Sequence, residues 1–257
     1  MRKHRVGFTL VEVALFLAIT GFLFVMVTVG VQNSIYQQRY NEAVQSFADF
    51  MGNLYAEVMN VQSDGNGRAK TAMYGKLAVF KKGSDEQEIR VYDVDGMAAS
   101  SAELGTGTTL ELLNKLGADV VGKSKDGSNS YVPVGIIEIY KPKWGARIQK
   151  TDSFDDFEGS VLIVRDPRSG IVQTYANKNV IEVNDTYVSE SKPDVLTGQL
   201  TSDNFKFQEV DFCINPNGEA ESSNRADIRL KRRAQNQSGV EIMSFDNENN
   251  RCNEVGS

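Results

Sequence analysis

The chain has 257 residues, 40% of them apolar, and a formal charge of −6. That acidic balance gives no global attraction to nucleic acid. Its one histidine is His4, so beyond the first seven residues neither a Ser-His-Asp nor a Cys-His site nor a His-ligated metal can be built. Most hydrolase designs fall with that observation, and only carboxylate or metal–oxygen chemistry is left.

Residues 1–7 form a short basic leader, Met1-Arg2-Lys3-His4-Arg5-Val6-Gly7. Behind it, from Phe8 to Val31, Glu12 is the only ionisable side chain. That run is about 24 residues, roughly 36 Å of helix, enough to cross a bilayer. The leader marks the side that stays cytoplasmic. No small-residue cleavage site of the secretory kind follows the apolar run, and the natural cut lies before it, at Gly7-Phe8. A carboxylate at the depth of Glu12 costs about 2.5–3.5 kcal/mol on insertion scales. It therefore needs a partner, or must snorkel to the headgroups one turn away.

The order of basic leader, Gly7, Phe8, Thr9-Leu10-Val11-Glu12 and apolar helix resembles a type IV prepilin or pseudopilin. The resemblance covers about the first 60 residues. It implies a prepilin peptidase that cleaves after Gly7 and methylates the new amino terminus of Phe8. It also implies that Glu12 pairs with the α-amino group of Phe8 on a neighbouring subunit, setting the axial register of a filament. The plainer alternative is a single-pass anchor with an isolated glutamate.

Beyond the span, residues 32–62 continue the helix. Tyr40, Val44, Phe47, Met51, Leu54, Val58 and Val61 recur at alternating spacings of four and three. Gln38, Asn41, Glu42, Gln45, Asp49, Asn53 and Glu57 occupy the opposite face. The seam suits packing on the chain's own sheet better than a coiled coil, because it lasts about three heptads and β-type sequence follows. Ser63-Asp64-Gly65-Asn66-Gly67 is a helix stop. Gly21 and Gly30 interrupt the apolar run; the resemblance implies local unwinding near them in a filament, against plain tolerance of glycine in membrane helices.

Residues 63–257 read as a β-rich head. Lys76–Lys82 and Gln87–Val94 flank Gly83-Ser84-Asp85, a hairpin signal. Met97–Thr109 is a Gly-rich loop, Leu110–Leu116 a short helix, Gly122–Ser130 a polar loop and Tyr131–Tyr140 a strand. Val161–Arg165 and Ile171–Tyr175 flank the turn Asp166-Pro167-Arg168-Ser169-Gly170. Asn184–Asp203 is polar and irregular. Phe205–Ile214, Ala226–Arg232 and Val240–Phe245 are the last strands, with a turn at Asn215-Pro216-Asn217-Gly218. That closing order is similar to H-type pseudopilins and FimT-like minor pilins. It departs from the DNA-binding FimT-like tails, which carry a Gly-Arg-x-Arg pattern where this chain has Asn249-Asn250-Arg251-Cys252.

Cys213 and Cys252 are the only cysteines, both on the side the anchor places outside the cytoplasm. An even count without Cys-x-x-Cys favours one disulfide. Arg225, Arg229, Lys231, Arg232 and Arg233 form one basic cluster, either a phosphate-contacting patch for DNA or the solvated face of a hairpin. The absence of interleaved aromatics favours the hairpin face. Asp152, Asp155, Asp156 and Glu158, with Asp246 and Glu248, do not match a calcium-loop spacing and read as acidic loops. Trp144 reads as a core or edge residue, and no Walker-type or dinucleotide motif occurs.

The expectation is an α+β protein, one long N-terminal helix, half of it transmembrane, packed on an antiparallel β-rich head. No cofactor, catalytic residue or metal site is expected. The expected role is structural: a pilin-like subunit, a minor one with the major pilin as the second structural option, held in the inner membrane and then built into a cell-surface or periplasmic filament. Its partners would be other subunits, the prepilin peptidase and the inner-membrane assembly platform. DNA uptake through the basic cluster is the alternative from another class.

Overall fold

The computed structural model describes residues 9–60, 71–82, 86–97, 105–120, 138–183, 195–196, 198–215, 225–234, 239–243 and 248–253. Contacts divide the chain into two units, Met1–Glu42 and Ala43–Ser257. One helix, α1 (Leu10–Met59), supplies all of the described first unit after Thr9 and opens the second. The helix-stop, first-hairpin-turn and Asn215–Gly218 signals fall wholly or mostly outside the described residues, as does most of Tyr131–Tyr140.

In the first unit, Leu10–Thr28 is a candidate membrane span with mean hydropathy 2.5 and none of it buried against protein. Its polar side chains are satisfied locally. Thr20 Oγ1 donates to Phe16 O (2.7 Å) and Thr28 Oγ1 to Phe24 O (2.8 Å), so both hydroxyls are satisfied within the helix.

The second unit is α+β with antiparallel sheets. In chain order its strands are β1 (Thr71–Lys82), β2 (Gln87–Met97), β3 (Asp119–Val120), β4 (Glu138–Tyr140), β5 (Arg147–Gln149), β6 (Gly159–Arg165), β7 (Val172–Asn177), β8 (Lys206–Phe207), β9 (Val210–Asn215), β10 (Ala226–Leu230), β11 (Arg233–Ala234) and β12 (Val240–Met243). A short helix, α2 (Thr109–Lys115), is held by a capping box between Thr108 and Glu111. The larger sheet runs β11-β7-β6-β1-β2-β3, with β4 also on β2 and β8 also on β7. The smaller runs β12-β10-β9-β5.

Strand alternation explains why β1 is buried on both faces. Leu77 and Val79 enter a core with Leu110, Leu113, Leu162 and Phe205. Phe80 points the other way, stacked on Phe212 at 5.1 Å and edge-on to Phe47 of α1 at 6.5 Å. On that same face the buried Lys76 reaches Glu57 of α1 (2.6 Å) and Asp93 of β2 (2.7 Å). Burial opposes its charge, but the two carboxylates hold its pKa above the ordinary lysine value. A bulge at Met73/Gly75 shifts the β1–β2 register, and a Cβ at Gly75 would lie 2.3 Å from Ile163 O.

The helical seam faces this interior. Val44, Phe47, Met51, Leu54 and Val58 are buried, whereas Gln45, Asp49, Asn53 and Glu57 are exposed. The apolar stripe is wider than the seam alone, since Ala43, Ala48, Phe50 and Tyr55 are buried too. Tyr55 shows why. Its hydroxyl is hydrogen-bonded to Thr174 Oγ1 of β7 and donates to Lys231 O (3.3 Å), where the two sheets meet.

One expected strand is two strands, and another is shorter than expected. Phe205–Ile214 breaks at Gln208-Glu209 into β8, in the larger sheet, and β9, in the smaller. Ala226–Arg232 ends at Leu230, and β11 returns to the larger sheet. At Gln208-Glu209 the apolar positions change phase, from Phe205 and Phe207 to Val210, Phe212 and Ile214, and the basic run Lys231-Arg232-Arg233 follows β10. Trp144, expected in the core or at an edge, is instead half exposed in a 3-10 turn (Lys143–Gly145) at a left-handed backbone angle, φ 61°.

Candidate functional site

Gly7 and Phe8, the expected cleavage and methylation residues, lie outside the described residues. Glu12 opens α1. Its carboxylate accepts from Thr9 N (2.8 Å) and Thr9 Oγ1 (2.9 Å), while Glu12 N donates to Thr9 Oγ1 (3.3 Å). This reciprocal arrangement is a capping box, and it satisfies amides that the first helical turn leaves unpaired. The Thr-x-x-Glu spacing announces such a box in the sequence, beside the pairing and snorkelling that the position of Glu12 suggests. The local bonds lower the cost of carrying this carboxylate at the edge of an apolar span.

At the other end of the chain, Cys213 of β9 and Cys252 are joined by a disulfide, with Cα atoms 5.5 Å apart. Around it the expected basic cluster separates. Arg225 is buried, its guanidinium 4.6 Å from the centre of the Phe154 ring. It donates to Lys150 O (3.3 Å), Ser153 O (3.0 Å) and Cys252 O (2.5 Å). Arg225 therefore ties the 150–153 turn to the C-terminal turn rather than facing solvent. Arg229 pairs with Asp211 (2.5 Å) and Asp227 (3.3 Å), and Lys231 with Glu241 (2.5 Å). Arg232 and Arg233 lie over the Phe207 ring, at 5.1 and 5.3 Å. The five cations thus do not form one patch: Arg225 is buried, Arg229 and Lys231 are paired with carboxylates, and only Arg232 and Arg233 share a ring.

Asp211 and Asp227 share two arginines. Arg251 Nη1 reaches Asp211 Oδ2 (2.5 Å), and Arg251 N donates to Asp227 Oδ2 (3.3 Å). Burial, then the charge of Asp211, push the Asp227 pKa up to about 6 against the pull of Arg251 and Arg229. The folded state then holds that proton more tightly than the unfolded one. Stability should fall as pH rises from about 4 to about 6, and be flat above, by roughly 3 kcal/mol in all. Asp227→Asn should remove this slope. Urea midpoints of the two proteins that run parallel between pH 4 and 6.5 would refute it.

Asp166 is the opposite case. Burial alone would raise its pKa, but bonds from Arg168, Thr109 Oγ1 (2.5 Å) and the Ser169 and Arg168 amides hold it well below the usual carboxylate range. A cavity of about 280 Å³ beside it is lined by Thr109, Asp166, Arg168, Tyr175, Phe205 and Arg233, among others. Of the acidic run, Asp156 pairs with Arg147 (3.4 Å). Among the described residues no group of three or more His, Cys, Asp or Glu is placed to hold a metal ion.

Compared with protein families, curated proteins and solved structures, the chain matches none. The definable class is an α+β protein with one candidate membrane span and a disulfide-closed β-rich unit.

Proposed function

We propose that this chain is a pilin-like subunit, a minor rather than a major one, of a type IV pilus or a related secretion or uptake filament. The observation that carries the reading is the N-terminal block: a basic leader, the Gly7-Phe8 junction, and Glu12 alone among the ionisable residues of the apolar run. Support comes from the placement of Glu12 in the first turn of a helix long enough to leave a bilayer and enter a globular unit. In this reading Glu12 exchanges its bonds to Thr9 for the amine of Phe8 on a neighbouring subunit during extraction from the inner membrane. The partners are other subunits through the apolar helix, the prepilin peptidase and the assembly platform.

One experiment tests processing and pairing together. The full chain and Glu12→Ala are expressed with a prepilin peptidase and a filament machinery, and sheared filaments are analysed by mass spectrometry. The wild type should lack Met1–Gly7 and carry a methylated Phe8. Glu12→Ala should insert into membranes normally, since it only makes the span more apolar, yet enter filaments about tenfold less. An intact leader in filament-incorporated protein, or normal incorporation of the variant, would sink the reading.

A further inference from the structure

Dispersal of the basic cluster still leaves a local surplus of positive charge. Arg232 and Arg233 are exposed, and both guanidinium groups lie over the Phe207 ring, at 5.1 and 5.3 Å. Among the described residues neither forms an ion pair with a carboxylate. Two like charges gathered at one ring repel each other, and an anion beside them relieves that repulsion. The chain as a whole is acidic, so its composition does not explain the surplus.

Arg233 also lines the cavity of about 280 Å³ beside Asp166, together with Arg168, Gln173, Tyr175 and Phe207. All of these residues belong to the second unit. Small-molecule sites run from roughly 300 to 1,000 Å³, so this one suits a ligand near the small end, the size of a monosaccharide. Asp166 does not supply the missing counter-charge. Its Oδ1 accepts from the amides of Arg168 and Ser169, both at 2.9 Å, and its Oδ2 from Thr109 Oγ1 (2.5 Å) and Arg168 Nη2 (3.1 Å). Those bonds fill the acceptor sites of a carboxylate and hold it ionised. Its charge is matched by Arg168, which leaves Arg233 as the uncompensated charge of the cavity wall.

We propose that this cavity binds a small anionic sugar, its carboxylate or phosphate on the Arg233 and Arg168 guanidinium groups and its ring against Phe207 and Tyr175. An arginine fork matches either anion with paired N–H donors. Arg168 donates one side-chain N–H to Asp166, and the rest of its fork is open to a ligand. The Tyr175 and Phe207 rings stand 5.3 Å apart, tilted by 39°, and offer apolar surface to the C–H face of a sugar ring. Gln173 accepts from the Tyr175 hydroxyl (2.6 Å) through its amide oxygen, so its NH2 serves the ring hydroxyls. The site depends neither on the membrane anchor nor on filament formation.

The full-length protein, held in a nonionic detergent, is titrated calorimetrically with glucuronate, glucose 6-phosphate, glucose and inorganic phosphate. Glucuronate or glucose 6-phosphate should bind with a Kd of about 1 mM or tighter, and glucose and inorganic phosphate about tenfold more weakly. The tighter of the two acids names the anion as carboxylate or phosphate. Arg233→Gln should weaken that binding about tenfold at an unchanged melting temperature. Lys82→Gln, which removes the same charge from the exposed end of β1, should leave it unchanged. Glucose binding as tightly as the acids would overturn the role of the arginines, and inorganic phosphate doing so would overturn recognition of the ring. Equal weakening by Lys82→Gln would reduce the effect to net charge and equally overturn the site. Binding of neither acid up to about 20 mM would overturn the proposal outright.

Discussion

Leu54→Asp is expected to unfold the globular unit or strip most of its stability, while Gln45→Asp, on the opposite face, leaves it nearly unchanged. Leu54 is fully buried, between Met51 and Val58, which are equally closed to solvent. Removing its side chain alone costs about 2–5 kcal/mol. Placing a carboxylate there adds a desolvation cost of several kcal/mol with no cation to meet it. A typical domain has only about 5–15 kcal/mol to lose. Gln45 is exposed, and its amide donates to Asp49 Oδ1 at 2.7 Å. Its replacement by Asp sets two like charges one turn apart, a cost of a few tenths of a kcal/mol. A head beginning at residue 32, free of the apolar run, should be soluble and suit circular dichroism melts. Equal midpoints for the two variants would mean that the seam faces no core, and would reopen the coiled-coil alternative.

The second large effect is expected at the disulfide. Cys213→Ser with Cys252→Ser should lower stability by about 4 kcal/mol in the chain-entropy model, given the sequence separation of 39 residues. The loss should extend beyond chain entropy. The C-terminal turn that the bridge holds also supplies Cys252 O to the buried Arg225 and Arg251 to Asp211. Once the turn detaches, Arg225 loses one of its three carbonyl acceptors in a site with little access to water. Urea unfolding should show the double variant at a clearly lower midpoint, and wild type treated with reductant should approach it. Peptide mapping without reductant should recover the Cys213–Cys252 peptide from exported protein, and two free thiols there would refute the bridge.

Local chemistry by itself determined several parts of this protein. The apolar run with one carboxylate, the alternating four-and-three seam from Val44 to Val58, the short α2 and the turn Asp166–Gly170 all depend on neighbours within one or two turns. Such neighbours are written consecutively in the chain. The pairing of two lone cysteines is legible for a different reason, since a count of two leaves a single intramolecular combination.

Only the tertiary structure decided the rest. Arg225 and Arg233 look alike in a basic stretch. One is buried against Phe154 and three backbone carbonyls, and the other lies exposed over Phe207. The partners that separate them come from distant segments, as do Asp211 and Arg251, which share the network around Asp227. Which sheet each strand joins is likewise decided by distant partners, β8 and β11 pairing with β7 while β9 and β10 pair with each other. The turn at Trp144 is also set by distant contacts. Tryptophan is ordinarily buried, and the left-handed turn that holds it outward is fixed by Tyr140 on Phe50 and by Gln87 on Ile148, contacts that close only when the folded unit forms.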